Sequence, residues 1–260
     1  MRTAQTKQQP LDFLKLLAHD IRWRILLALA QSDRKVEELV KQIQEPHNVI
    51  SYHLKLLRRK HLLSEHRSAA DGRDIYYSLD LERFRSLYFQ AGTTLHPGLA
   101  LPESEPRPKE ISRKHLQIRI LFLCTHNSAR SQMAEAILRK IGGDQMEVFS
   151  AGNEPTPVHP LAIQVMSQIG MDISQQKPKH LNQFLGQNFD YIVTVCDRVR
   201  ESCPVFPGDP EQIHWSFPDP AAVAGDPATR EKAFSDTASQ LRVRIEYLLL
   251  MIERSQKEDK

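Results

Sequence analysis

The chain holds three thiols in 260 residues, Cys124, Cys196 and Cys203, all in its second half. Cys124 closes an apolar run, IRILFL, and Arg130 lies six residues further on, where a helical stretch begins. A strand, a short polar loop and a helix in that order suit an oxyanion. The backbone N–H groups of Thr125, His126, Asn127, Ser128, Ala129 and Arg130 can turn inward as a nest, and the helix N-terminus adds its positive end. The Arg130 guanidinium offers two parallel donors to an anion's oxygens. The same positive field favours the thiolate, so Cys124 is expected to be nucleophilic at cellular pH. Ser131 is placed to hydrogen-bond that thiolate, and Asn127 to brace the loop, because asparagine tolerates the left-handed backbone region. The plainer alternative is an inert cysteine ending a core strand.

An odd number of cysteines argues against a secreted disulfide framework and for free or redox-active thiols. Cys196 and Cys203 stand seven residues apart after a strand-like run, separated by the polar DRVRES, which reads as a mobile segment. Asp219 sits between two prolines after the HW run. From there it could reach the C-terminal edge of a sheet, the usual ligand side; otherwise it is a solvated turn aspartate.

The elements that must position these groups follow from periodicity. Strand-like runs at 118–123, 146–149, 189–195 and 213–215 alternate with helical stretches at about 131–141, 158–170 and 229–253. Such alternation predicts an α/β unit with a four-stranded parallel sheet flanked by helices. Ahead of it, GTTLHPGLALPESEPRPK loses apolar periodicity and carries four prolines, and is read as a linker over 93–115 between an N-terminal domain, 1–92, and a C-terminal one, 116–260.

In the C-terminal domain CTHNSARSQMAEA, SAG, VHPLAIQVM, GMDIS, FDYIVTVCD, CPVFPG and HWSFPDPA resemble low-molecular-weight phosphatases, specifically their arsenate reductase branch. The resemblance, over about 116–255, implies a nucleophile at Cys124, an anion-binding Arg130, a thiolate-supporting Ser131 and a general acid at Asp219. Two features favour the reductase branch. Gln132 follows the Arg-Ser pair, where the phosphatases tend to have proline, and Cys196 and Cys203 match the relay cysteines of thioredoxin-coupled reductases. The implied substrate is arsenate or a phosphate-like oxyanion, and the implied reductant a thioredoxin-like dithiol. His126 and Ala129 depart from the Gly and Cys that such reductases often carry. An alkali-cation site of some relatives could use Asn127, Glu135 and Ser150, but KPKHLNQF offers no further carboxylate, so neither metal nor cofactor is assigned.

The N-terminal domain shows helical stretches at about 11–18, 20–31, 36–43 and 47–60, then a turn at Ala70-Asp71-Gly72 and a β-rich Ile75-Tyr76-Tyr77. This is the order of a helix-turn-helix followed by a wing, a mainly α fold. In the helix at 47–60, Val49, His53, Leu54, Leu56 and Leu57 would face KVEELVKQI. Asn48, Ser51, Tyr52 and Lys55 would enter a major groove, with Arg58 and Arg59 near phosphates and Arg67 and Arg73 on the wing. Residues 1–100 hold 16 Lys and Arg against 11 Asp and Glu, a modest excess of the sign that duplex DNA attracts. ISYHLKLLRRKHLLS and GRDIYYSLD resemble ArsR-type winged-helix repressors, which implies operator DNA and a homodimer formed by helices around 11–18 and 80–90. Residues 1–123 contain no cysteine, so the thiolate arsenite site of many such repressors is not expected.

No stretch approaches the ~20 apolar residues of a membrane span, and residues 1–20 lack a signal-peptide pattern. The expectation is a soluble, cytoplasmic protein. Three readings stand: a winged helix fused to an arsenate reductase, a protein-tyrosine phosphatase of the same fold, or a regulator whose phosphatase-like domain senses a ligand or redox state.

Overall fold

The computed structural model describes residues 2–70, 72–96 and 118–258, with side chains from Pro10 to Ser255. The chain divides into two compact units, Met1–Arg107 and Pro108–Lys260.

The N-terminal unit runs α1 (Arg2–Leu17), α2 (Asp20–Gln31), β1 (Arg34–Lys35), α3 (Val36–Ile43), α4 (His47–Arg59), β2 (Leu63–Arg67), β3 (Ile75–Leu79) and α5 (Leu81–Leu95). Local chemistry sets the boundaries. The Glu38 carboxylate accepts from the Lys35 N–H at 2.8 Å to start α3, which stops at Gln44 in the left-handed region, φ 60°. Leu62 N–H bonds back to Leu57 O, 3.2 Å, and His61 takes φ 55°, turning the chain from α4 into β2. Asp80 caps α5 by accepting from Arg83 N–H at 2.8 Å.

The three strands form one antiparallel sheet in the order β1-β3-β2, with Leu63 opposite Leu79 and Arg67 opposite Ile75. The helix-turn-helix and its wing are thus as read, and β1 adds a third strand that two residues were too short to announce. Two details differ from expectation. On α4 the buried residues are Ile50, His53, Leu54 and Leu57, whereas Val49 and Leu56 are only half-buried; the core-facing stripe is rotated by about one position. The cause is that Ile50, Leu54 and Leu57 fall at the four- and three-residue spacing of one helix face. Helix α5 also continues through Leu95 into the stretch read as linker. The remainder of that stretch, 97–115, and the wing residue Asp71 lie outside the described residues.

The C-terminal unit runs β4 (Ile118–Cys124), α6 (Arg130–Gly142), β5 (Met146–Gly152), α7 (Pro160–Gln168), β6 (Tyr191–Thr194), α8 (Asp197–Glu201), β7 (Glu211–His214) and α9 (Pro227–Glu258). Its four strands are parallel in the order β5-β4-β6-β7, the α/β sheet that the alternation predicted. Ile120, Leu121, Phe122 and Leu123 of β4 are all fully buried, so both faces of the strand are covered, as expected for an unbroken apolar run. Helix α6 packs on α9 and β5. The third strand is shorter than 189–195, and just before it Asp190 bonds to both neighbours, its N–H donating to Arg119 O and its O accepting from Glu211 N–H, each at 2.9 Å, while its carboxylate accepts from Arg119 N–H at 2.7 Å. The segment DRVRES, read as mobile, begins as the ordered turn of α8 with Asp197 and Val199 buried.

Strand order reverses at β4, whose neighbours on the two sides are β5 and β6. The C-terminal end of β4 is therefore the switch point where an open parallel sheet leaves a crevice, and Cys124 is its last residue.

Candidate active site

The loop after Cys124 is held by the amide of Asn127, which is fully buried and takes φ 43°, the left-handed region asparagine tolerates. Its orientation is fixed by an unambiguous donor, because Asn127 Oδ1 accepts from the Lys179 backbone N–H at 2.7 Å and from Gln132 Nε2 at 3.0 Å. Nδ2 then donates to Ser131 Oγ and Ser150 Oγ, both at 2.8 Å. Each serine has accepted and keeps its own hydrogen to give. Ser150 donates to the Glu135 carboxylate, and Ser131 Oγ lies 2.8 Å from Cys124 Sγ. The Asn127 N–H also donates to Cys124 Sγ, 3.1 Å. Two hydroxyl or amide groups thus face the sulfur.

The segment after β5 clamps the loop from outside. Glu154 N–H donates to Thr125 O (2.9 Å), Thr156 N–H to His126 O (3.0 Å) and His159 N–H to Ser128 O (2.8 Å). These three bonds occupy the carbonyls of Thr125, His126 and Ser128 from the side of the 154–159 segment. Gly152 makes the approach possible: a Cβ there would stand 2.5 Å from Thr125 O and 2.8 Å from Asn127 N. Burial, with the Arg230 charge second, lowers the pKa of His159, in keeping with its neutral Nδ1 accepting from Leu161 N–H at 3.1 Å to cap α7.

Arg130 is buried at the first position of α6. Its Nη1 donates to Phe217 O at 2.9 Å, and Nη2 lies 3.5 Å from Asp219 Oδ1. The guanidinium is thereby tethered to the 217–219 loop, and Asp219, which also accepts from Ala221 N–H at 3.2 Å, stands beside the anion loop. Cys124, Arg130, Ser131 and Asp219 come together although 95 residues separate the first from the last.

Cys196 joins the same cluster. Its Sγ lies 3.3 Å from Thr125 Oγ1, and burial pushes its thiol pKa up, with Cys124 adding to the rise and Arg130 opposing it. Cys203 is half-buried, and burial pushes its thiol up as well, with Arg200 opposing. Beneath α8 lies a polar chain absent from the sequence reading. Thr194 Oγ1 is 2.8 Å from His214 Nδ1, His214 Nε2 is 3.1 Å from Asp197 Oδ1, and Ser216 donates to the same oxygen. A legible signal existed, since Asp197 and His214 both interrupt runs that otherwise read as core, and buried polar groups need partners.

Lys179 was also missed. Its ammonium lies 3.2 Å from Glu135 Oε2, and Arg139 Nη2 lies 2.7 Å from Oε1. The Asn127, Glu135 and Ser150 cluster considered for an alkali cation therefore contains a side-chain cation. Among the described residues no three His, Cys, Asp or Glu side chains are grouped as metal ligands.

In the N-terminal unit, Asn48, Tyr52, Lys55 and Arg59 are exposed on one face of α4, and Ser51 is half-buried with Oγ 3.4 Å from His47 Nδ1. Arg58 is turned onto Glu65 of β2. Arg67 Nη1 donates to Gly72 O at 3.1 Å inside the wing turn, where Arg73 is exposed.

An α/β unit with a thiol-bearing loop at its switch point, preceded by a winged helix, is the class that fold and site define. Residues 119–258 match the family described as low molecular weight phosphotyrosine protein phosphatase, and 19–65 match the bacterial regulatory protein, arsR family. The first match spans more than half of the chain, which belongs to the low molecular weight phosphotyrosine protein phosphatase family. An arsenate reductase of Halalkalibacterium halodurans is 41% identical over 126 residues, covering 48% of this chain and 91% of that protein. A solved arsenate reductase in its oxidized state is 28% identical, covering 53% of this chain and 99% of the other at TM-score 0.47. A thioredoxin-dependent arsenate reductase of Corynebacterium glutamicum is 23% identical, covering 85% and 95% at TM-score 0.44.

Gly152→Ala should break the loop clamp, lowering stability by about 1–3 kcal/mol as overpacking does. Oxyanion affinity should drop with it. Thermal unfolding and a phosphate titration check this; an unchanged melting temperature and affinity would contradict the close approach. A pH effect follows from the raised thiols. Between the ordinary thiol value and the raised one the folded state binds more protons than the unfolded, so stability falls as pH rises above about 8.5. The slope should reach at most ~1.4 kcal/mol per pH unit for each thiol. Denaturant midpoints at pH 7.5 and 9.5 measure it, and Cys196→Ser should flatten the loss.

Proposed function

We propose that this chain reduces arsenate to arsenite by a three-thiol relay and carries the reductase behind a DNA-binding winged helix. The observation that supports it most is a second buried thiol, Cys196, packed against Thr125 of the anion loop itself. Phosphate-ester hydrolysis has no use for that thiol, whereas arsenate reduction needs two electrons.

In this reading the loop N–H groups and Arg130 hold the oxyanion, and the Cys124 thiolate attacks arsenic. Asp219 gives a proton to the departing oxygen, which leaves as water. Cys196 thiolate then attacks Cys124 Sγ. The sulfur–arsenic bond breaks, its electron pair stays on arsenic, and arsenite leaves a Cys124–Cys196 disulfide. Cys203 thiolate attacks Cys196 Sγ and frees Cys124 as thiolate. A thioredoxin-like dithiol reduces the resulting Cys196–Cys203 disulfide. The relatives named as arsenate reductases support this assignment.

The N-terminal unit is proposed to bind duplex operator DNA through the exposed α4 face and the wing, as a dimer. The arsR-family match supports the DNA partner. The dimer is supported by α1 and α5, which pack on each other through Phe13 and Phe84 yet leave Leu11, Leu14, Tyr88 and Leu95 exposed. A cytoplasmic setting suits reduced thiols and DNA; among the described residues no helix is long and apolar enough to cross a membrane.

Cys124→Ser should abolish both arsenate reduction and aryl-phosphate hydrolysis. Cys196→Ser should lose arsenite release yet keep hydrolysis, which needs only Cys124, Arg130, Asp219 and water. Cys203→Ser should release one arsenite per chain and stop at a Cys124–Cys196 disulfide. Rapid-quench arsenite yields with disulfide mapping read these outcomes, and many turnovers by Cys203→Ser with thioredoxin would reject the relay. DNA binding should weaken steeply with salt. Lys55→Ala and Arg59→Ala should reduce affinity, and Tyr52→Ala should alter sequence preference. A full-length protein that binds its own promoter region no better than random duplex would refute the DNA-binding role.

A further inference from the structure

Closing a disulfide between Cys196 and Cys203 requires the chain between them to bring the two Cα atoms to roughly 4.4–6.8 Å and the sulfurs to bonding distance. The helical residues of α8, Asp197–Glu201, lie between the two cysteines. The two ends of α8 are not held alike. At its start Cys196 is extended, Asp197 is buried with its carboxylate bonded to His214 and Ser216, and Val199 is fully buried. At its end Glu201 and Ser202 are exposed. The end next to Cys203 is therefore the one that can move.

One contact that holds that end is a hydrogen bond from another element. Ser202 Oγ donates to Arg198 O at 3.0 Å, so it accepts from Asn153 Nδ2, also at 3.0 Å. Asn153 itself is fixed on both sides, since Gly152 N–H donates to Lys179 O and Glu154 N–H to Thr125 O, each at 2.9 Å. Among the described residues its own Oδ1 is buried with no hydrogen-bond partner.

We propose that Asn153 is a positioning residue of the relay, a latch that holds the Cys203 end of α8 beside the anion loop in the thiol state. It must release Ser202 before Cys203 thiolate can attack Cys196 Sγ, form the 196–203 bond and expel Cys124 thiolate. The exchange conserves electrons, and the proton of Cys203 goes to solvent. Asp197 and the chain to His214 and Ser216 form the fixed end about which the segment turns. The role in turnover rests on the reductase reading, but the latch acts on the thiol–disulfide equilibrium with no arsenate present.

The test equilibrates full-length wild type, Asn153→Ala, Ser202→Ala and the double variant in glutathione redox buffers, and quantifies the Cys196–Cys203 disulfide by mass mapping. Each single variant should favour the disulfide by about three- to tenfold, the span of one net hydrogen bond. The double variant should do no more than either single, because both remove the same contact. In a Cys203→Ser background, Asn153→Ala should leave the rate of the single arsenite release within about twofold. Equal disulfide fractions in all four proteins, or effects that add, overturn the latch. Ser202→Ala, a surface change, keeps the test decisive should Asn153→Ala misfold. A latch effect without arsenate reduction would sink the reductase reading alone, and a wild type that forms no such disulfide would sink both.

Discussion

The geometry at the end of β4 depends on a single buried amide. Asn127 can donate twice and accept twice, and in this fold it does all four, to Ser131 and Ser150 and from Gln132 and the Lys179 backbone. That use of one side chain joins α6, β5 and the 177–180 segment to the anion loop. Its backbone takes the left-handed region, and its own N–H donates to Cys124 Sγ. Because both serine oxygens accept from Asn127 Nδ2, their own hydrogens point onward, one toward Glu135 and the other toward Cys124. A network of this kind is worth more than its separate bonds, and it is costly to leave half-made.

Charge balance is arranged around the same amide. Glu135 would be an uncompensated buried carboxylate were it not for Arg139 on its own helix and Lys179 from across the loop. With that charge met locally, Arg130 and the loop donors are left to set the field at Cys124. Asp219 is held near by the Arg130 guanidinium, so the group proposed to give a proton and the group proposed to hold the anion are placed by one contact. Burial favours the neutral form of the Cys196 and Cys203 thiols.

The two units use helices in opposite ways. Helix α6 is buried for most of its length, polar residues included, and serves to place Arg130, Ser131, Gln132 and Glu135. Helix α4 buries one face and leaves Asn48, Tyr52, Lys55 and Arg59 outward. A helix that is surrounded positions its residues for a site within the fold, and one that is half-exposed can meet a partner. Only the second is readable as amphipathic, which is why its orientation was close from sequence and its exact stripe was off by a position.

The sequence by itself determined the local order. A parallel sheet followed from alternating strand and helix periods, the winged helix from its succession of elements, and the Cys124 to Arg130 loop from a strand, a polar turn and a helix. These are short-range facts, fixed by period, turn residues and spacing within a few tens of positions. What only the tertiary structure decided lies across the chain. Gly152 against Thr125, Lys179 on Glu135, Thr125 beside Cys196, and Asp197 with His214 and Ser216 each join residues brought together by strand order β5-β4-β6-β7. No periodicity carries that information, because which strand lies beside which is settled by burying both faces of β4, a property of the assembled sheet and not of any one segment.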